Sequence, residues 1–214
     1  VRASTLTRNW PVHIVPNVID ADEWQPSDGM VARQELSLPL GAKVLLFGAG
    51  SGLKNHHKGG DLFLETVNAI ASLKETEGEA NNPEIIAAIF GEDRKDFSVG
   101  GVRVVSLGRL NDRNLRNAYS AANVMVVPSR MDNFPSTAVE AQACSCPVVA
   151  FRTGGLPDIV EDKVSGLLVE PFDTDEMARA AWSLLLDDSV ARKMGESARE
   201  RALDLWAPRR VSKA

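Results

Sequence analysis

The chain has 214 residues, 44% hydrophobic and 25% charged, the balance of an ordinary globular domain with enough length to bury a core. A net charge of −5 offers no global attraction for DNA, RNA or anionic lipid, which argues against a nucleic-acid or membrane-surface protein. Its two cysteines, Cys144 and Cys146, stand too close to bridge without strain and have no third partner for a metal site, no apolar run approaches the ~18 residues of a membrane span, and no signal peptide is visible, so a reduced, cytoplasmic protein is expected.

The chain starts at Val1, and a piece of a longer or processed protein is expected. Val12 to Val18 reads as a short strand and turn. Lys43 to Gly48 reads as a buried strand ending at glycine. Asp61 to Leu73 places Leu62, Phe63, Val67, Ile70 and Leu73 on one helical face. Glu79 to Pro83 is a loop. Ile85–Phe90 is the next buried strand, and Val102–Leu107 is a strand of partly alternating pattern. Asp112–Ala121 reads as a helix, Val124–Val127 as a strand, Thr137–Ala143 as a helix and Pro147–Phe151 as a strand. A short strand at Gly166–Val169 and two helices, Thr174–Leu186 and Val190–Leu205, complete the pattern before a basic tail that follows Pro208.

Strands alternating with helices imply an α/β domain, a doubly wound parallel sheet of Rossmann-like type. Such sheets bind ligands beyond the carboxyl ends of their strands. Three loops at those ends carry unusual residues.

The first, Gly48–Gly60, is glycine-rich and leads from a strand into a helix. Gly48 and Gly50 let backbone amides approach an anion, and Lys58, placed at the start of the helix, reaches a diphosphate. The spacing is neither G-x-G-x-x-G nor a P-loop, so a plain flexible loop is an equal alternative. His56 and His57 are adjacent and have no carboxylate or cysteine cluster, and solvent-exposed side chains are expected.

The second loop, Pro128–Glu140, enters a helix near Pro135. Ser136 and Thr137 offer amides and hydroxyls at the helix start as a phosphate cradle. Asp132 in the loop and Glu140 one turn into the helix are placed to face one pocket, where carboxylates accept vicinal hydroxyls; solvated acids at a helix start weigh about equally. The third, Arg152–Asp158, has paired glycines that permit close approach to a ligand or make a tight turn, the latter preferred.

Taken together, these stretches resemble the group 1 (family 4) glycosyltransferases of GT-B fold. The resemblance is specific over Pro128–Val169, PSRMDNFPSTAVEAQACSCPVVAFRTGGLPDIVEDKVSGLLV. It extends more loosely to Lys58-Gly-Gly-Asp61 and to Val15-Pro-Asn-Val-Ile-Asp20, and so covers nearly the whole chain as a single nucleotide-sugar-binding domain, residues 1–214, without the N-terminal acceptor domain.

The resemblance implies roles. Glu140 is similar to the second acid of an E-x7-E motif that binds ribose hydroxyls, and Asp132 takes the place of the first acid, usually Glu, facing the donor sugar. Asn133, Phe134 and Pro135 match the segment whose backbone approaches the sugar, and Ser136 and Thr137 the amides that meet the diphosphate. Lys58 matches the diphosphate-binding lysine, and Leu110 a position whose backbone touches the base. One departure stands out: the arginine that many members place after the first strand is missing, Ala49 following Gly48, with Lys54, His57 or a main-chain amide as substitutes.

The implied reaction moves a sugar from a nucleoside diphosphate sugar to an acceptor hydroxyl with retention, in bacterial surface polysaccharide or glycolipid synthesis. Lys58, Asp132 and Glu140 carry it, with no metal or other cofactor. The expected partners are the nucleotide-sugar donor and the acceptor domain. Nucleic acid is not expected, and the membrane is reached only by way of the full-length protein. The fragment alone is expected to bind nucleotide weakly and to catalyse little. Rival readings are an NAD-type oxidoreductase domain, which lacks its glycine fingerprint here, a degenerate binding module, and a sugar epimerase of the same fold.

Overall fold

A computed structural model describes residues 17–77 and 83–208, together with Thr5. The expected strand near residues 12–18 falls mostly outside them, and Asn17 and Val18 belong to no strand. Most of the loop at 79–83 and the basic tail after residue 208 also lie outside the described residues.

The elements in chain order are α1 (Gly29–Glu35), β1 (Lys43–Gly48), α2 (Gly60–Glu77), β2 (Ile85–Phe90), β3 (Phe97–Val99), β4 (Val102–Ser106), α3 (Asp112–Ala121), β5 (Val124–Val127), α4 (Ser136–Ala143), β6 (Val148–Phe151), α5 (Leu156–Ile159), β7 (Gly166–Val169), α6 (Thr174–Leu186) and α7 (Asp188–Trp206). The strands form one sheet in the order β3-β4-β2-β1-β5-β6-β7.

Helices cover both faces because the central strands are apolar on both. Val44 and Leu46 of β1 point into one core with Ile86, Ala88 and Phe90 of β2, against Tyr119, Ala138, Ala141 and Trp206. Leu45 and Phe47 point the other way with Ile85, Ala87 and Ile89, against Phe63, Val67, Ile70, Met177 and Ala181. A period of two on a continuous apolar run therefore feeds two cores at once.

Three elements depart from the expected pattern. The edge strand β3 runs antiparallel to β4, pairing Val99 with Val102 around Gly100 and Gly101. Both glycines have positive φ, 55° and 82°, which is what a two-residue hairpin turn of the favoured hand requires. The sheet is therefore mixed, parallel except at this edge. Helix α1 forms where no element was expected, nucleated by Asp28, whose side chain accepts from the amides of Met30 and Val31. The stretch read as a tight turn after β6 winds into the single helical turn α5.

Candidate functional site

From β1 the chain steps outward through β2 to β4, and from β5 it steps the other way through β6 to β7. The direction reverses between β1 and β5, which are neighbours. Loops leaving adjacent strands at such a point separate to opposite faces and leave a crevice between them. The loops after β1, β5 and β6 are the three singled out from sequence, and they meet here.

In the first loop, two 3-10 turns, Gly52–Lys54 and His56–Lys58, precede α2. Lys58 therefore closes a separate turn and does not open the helix; Gly59, at φ 72°, reverses the chain before Gly60. A Cβ on Gly59 would lie 2.0 Å from the Pro128 carbonyl oxygen, so this glycine lets the two loops touch. Gly48 serves packing, since the Phe90 ring occupies the place of its missing side chain, whereas Gly50 is exposed with open space around it. His56 and His57 are exposed, as expected, and so is Lys54.

In the second loop, Asp132 makes an ion pair with the Lys58 ammonium, both side chains partly buried. Its other oxygen accepts from the Phe134 amide at 3.2 Å. Pro135 is the N-cap residue of α4, and no side chain caps the helix. The first amide of this turn to bond backward is that of Ala138, to the Pro135 carbonyl at 3.1 Å, which leaves the Ser136 and Thr137 amides ahead of the ladder. These two amides stand where an anion cradle is expected, at a helix end whose dipole favours negative charge.

Glu140 stands one turn further along α4. Its Oε2 accepts from the buried Tyr119 hydroxyl at 2.8 Å. Burial pushes the Glu140 carboxyl above its ordinary value, the hydroxyls of Tyr119 and Ser136 pull it down, Asp112 raises it and the Lys58 charge lowers it. Glu140 lines a small cavity with Phe134 and Ser136, whereas Asp132 is engaged by Lys58. Lys58 is the group that acts on both acids.

Several bonds hold these loops in register. The Arg130 amide donates to the His57 carbonyl at 2.8 Å, and the Arg130 guanidinium grips Asp61 with two bonds of 2.6 and 2.7 Å while a further one reaches the His56 carbonyl. The Thr153 hydroxyl donates to the Ser129 carbonyl at 2.8 Å, and the Gly155 amide to the Asp132 carbonyl at 2.9 Å. The paired glycines at 154–155 thus admit the backbone of the neighbouring loop. Cβ atoms there would stand 2.0 Å from the Asp132 carbonyl oxygen and 1.8 Å from that of Asn133.

Of the other expected residues, Asn133 is exposed at the loop tip and Phe134 packs edge-to-face on Trp206, centroids 5.9 Å apart. Leu110 follows β4 and packs its half-buried side chain on the core. Sequence reasoning missed Tyr119, Arg130 and Asp61. Tyr119 lay in plain view as an aromatic residue in an amphipathic helix, but nothing local pairs Arg130 with a residue 69 positions away. Among the described residues no cluster of three or more His, Cys, Asp or Glu side chains is placed to hold a metal ion, and no helix is long and apolar enough to cross a membrane.

The family described as glycosyl transferases group 1 matches residues 33–201. A D-inositol 3-phosphate glycosyltransferase of Saccharomonospora viridis is 34% identical over 203 residues, 89% of this chain and 46% of the relative. Sucrose-phosphate synthase from Thermosynechococcus elongatus superposes with a TM-score of 0.75 at 29% identity, over 97% of this chain and 53% of that one. Anabaena Alr3699/HepE, solved in complex with UDP, superposes with a TM-score of 0.77 at 21% identity, over 94% of this chain and 55% of that one. The chain spans about half the length of the curated relatives it matches.

Proposed function

This chain belongs to the group 1 glycosyl transferases, with the Rossmann-like C-terminal fold of their GT-B architecture, and from that membership we propose that its β1–β5 crevice binds a nucleoside diphosphate sugar and holds it for transfer to an acceptor hydroxyl with retention of configuration. The observation that carries the reading is the meeting of Lys58, Asp132 and the uncapped start of α4 in one place.

The difficult part of the reaction is the departure of the diphosphate, whose negative charge grows as the glycosidic bond breaks. Preorganised cationic and amide groups stabilise such charge without reorganising during the reaction. In this reading the Ser136 and Thr137 amides receive the phosphate oxygens and Lys58 swings from Asp132 to the diphosphate, with no metal ion required. Asp132, released, accepts hydroxyls of the sugar. Glu140 accepts the ribose hydroxyls. These acids position the donor and do not act as a glycosidase pair. The Gly50 backbone, with open space around it, takes up part of the role of the missing arginine.

The relatives are about twice as long, and the remainder of such a protein supplies the acceptor wall in this proposal. UDP, present in the Anabaena structure, is the first nucleotide to try. D-Inositol 3-phosphate, named in the curated relatives, is the first acceptor, and a surface polysaccharide or glycolipid precursor the second.

The test is calorimetric titration of the chain with UDP, GDP and ADP, with Lys58→Ala and Glu140→Ala beside it. Saturable binding of one diphosphate, weakened in both variants and unaffected by a chelator, is expected. Failure of all three to bind, both to this chain and to a longer protein that contains it, would overturn the proposal.

A further inference from the structure

Tyr119 is 0% exposed, the largest of the fully buried side chains among the described residues. It sits on α3 against Phe90, centroids 5.9 Å apart at 85°, and against Trp24, 6.1 Å apart at 53°. A buried phenol needs a hydrogen-bond partner. A main-chain carbonyl would satisfy it at little cost. Instead the partner is a carboxylate, Glu140 Oε2 at 2.8 Å, and removing a carboxylate from water is expensive. Such an arrangement calls for a reason beyond packing.

Beside Glu140 lies a cavity of about 100 Å³, lined also by Asn17, Trp24, Phe134, Ser136 and Val139. Phe134 and Ser136 belong to the donor-binding segment proposed above. The cavity therefore shares residues with that segment, and Glu140 touches both the buried phenol and the cavity. We propose that Tyr119 is a positioning residue for nucleotide recognition: its hydroxyl fixes one oxygen of Glu140 and so presents the other, as a charged acceptor, to vicinal hydroxyls in the cavity. This rests on the nucleotide-sugar reading of the site.

The charges around Glu140 favour the same role. The phenol stays protonated and a donor, because burial and the Glu140 charge both raise it far above its ordinary value. Lys58, on the turn before α2, favours the charged carboxylate, and Asp112 on α3 opposes it. Cys144 on α4 has its thiol pushed up to about 12, chiefly by burial, and carries no charge at neutral pH. Asp20, which lines the cavity, is occupied as acceptor for the Asp22 and Glu23 amides. The hydroxyls of Tyr119 and Ser136 are therefore the neutral donors that offset burial of the carboxylate, Tyr119 from the buried side.

Tyr119→Phe removes one oxygen atom and keeps the packing. The Glu140 carboxyl is followed by ¹³C NMR against pH in wild type and Tyr119→Phe, and UDP affinity is measured in both, in Glu140→Gln and in the double variant. The expected result is a Glu140 titration displaced to higher pH in Tyr119→Phe. UDP affinity should fall roughly ten-fold near neutral pH, the size of one hydrogen bond to a charged group, with no further loss when Tyr119→Phe is added to Glu140→Gln. An unmoved titration, or an unchanged affinity, would overturn the proposal. If the titration moves but neither this chain nor a longer protein that contains it binds UDP, GDP or ADP, the nucleotide reading falls while the hold of Tyr119 on Glu140 stands.

Discussion

Lys58 and Asp132, 74 positions apart in the chain, meet as an ion pair across the crevice between β1 and β5. In the free protein the cation is already neutralised, so an anionic ligand competes with an internal carboxylate. Lys58→Ala is expected to weaken diphosphate binding roughly ten- to a hundred-fold, the range of a charge-assisted bond. Asp132→Asn should act the other way on the nucleotide alone, raising UDP affinity because Lys58 no longer has a carboxylate to leave, while abolishing sugar transfer by the full-length protein. Calorimetry with UDP, and transfer assays on the longer protein, check both signs.

The Arg130–Asp61 pair ties the turn carrying Lys58 to the loop carrying Asp132. Arg130→Ala and Asp61→Asn should each lower UDP affinity several-fold while costing less than about 1 kcal/mol of stability, since Asp61 is half exposed and exposed pairs contribute little. The Arg130 hydrogen bond holds the Asp61 carboxyl down at about 2, from an ordinary 3.8. A depressed carboxyl adds stability above its unfolded value and loses it as pH falls through the folded one. The difference between Asp61→Asn and wild type in urea melts should therefore be present at pH 5 and disappear toward about pH 2.

Glu140 has the opposite sign. Its carboxyl is raised, first by burial, so the folded state holds the proton more tightly than the unfolded chain. Its charge costs stability once pH climbs from the ordinary 4.5 through the raised value, and the cost is complete above it. Glu140→Gln should melt at a higher temperature than wild type at pH 8, with the gap closing below pH 4.5, even though nucleotide binding suffers. Paired thermal melts across that range decide it.

Gly155 is required where the loop after β6 meets the loop after β5. Gly155→Ala would place a methyl 1.8 Å from the Asn133 carbonyl oxygen and force the loop carrying Asp132 outward. A loss of roughly 1–3 kcal/mol, the usual cost of overpacking, is expected together with loss of UDP binding. Gly41→Ala, with nothing within 4 Å of the new atom, is the neutral control.

Cys144 and Cys146 are free, 2% and 1% exposed, and burial raises both thiols, that of Cys144 to about 12. Neither should react with a thiol-specific disulfide reagent in the folded chain at pH 8, and both should react in guanidinium. Fast labelling without denaturant would show that the core around α4 opens.

Six of the seven strands were readable because each of them announces itself locally. Lys43–Gly48, Ile85–Phe90, Val124–Val127 and Gly166–Val169 are short apolar runs ended by glycine, proline or polar residues, and the helices between them carry a 3.6-residue apolar period. The β3–β4 hairpin has its own local signal in Val99-Gly-Gly-Val102, whose paired glycines mark the turn. Helix α1 was harder, because its capping aspartate precedes only seven helical residues with little buried face.

For the site, sequence alone determined which residue types exist and on which loops: a lysine beyond β1, an acid beyond β5, a second acid one turn into α4. Those are local facts, set by the distance along the chain from a strand end. The tertiary structure decided their relations. It turned Lys58 toward Asp132, set Arg130 on Asp61, spent the glycines at 154–155 on a neighbouring loop, and put a phenol from α3 behind Glu140. No periodicity encodes a contact between residues 21, 69 or 74 positions apart. Such contacts arise when burial of two apolar faces fixes the strand order, and the strand order brings the loops together.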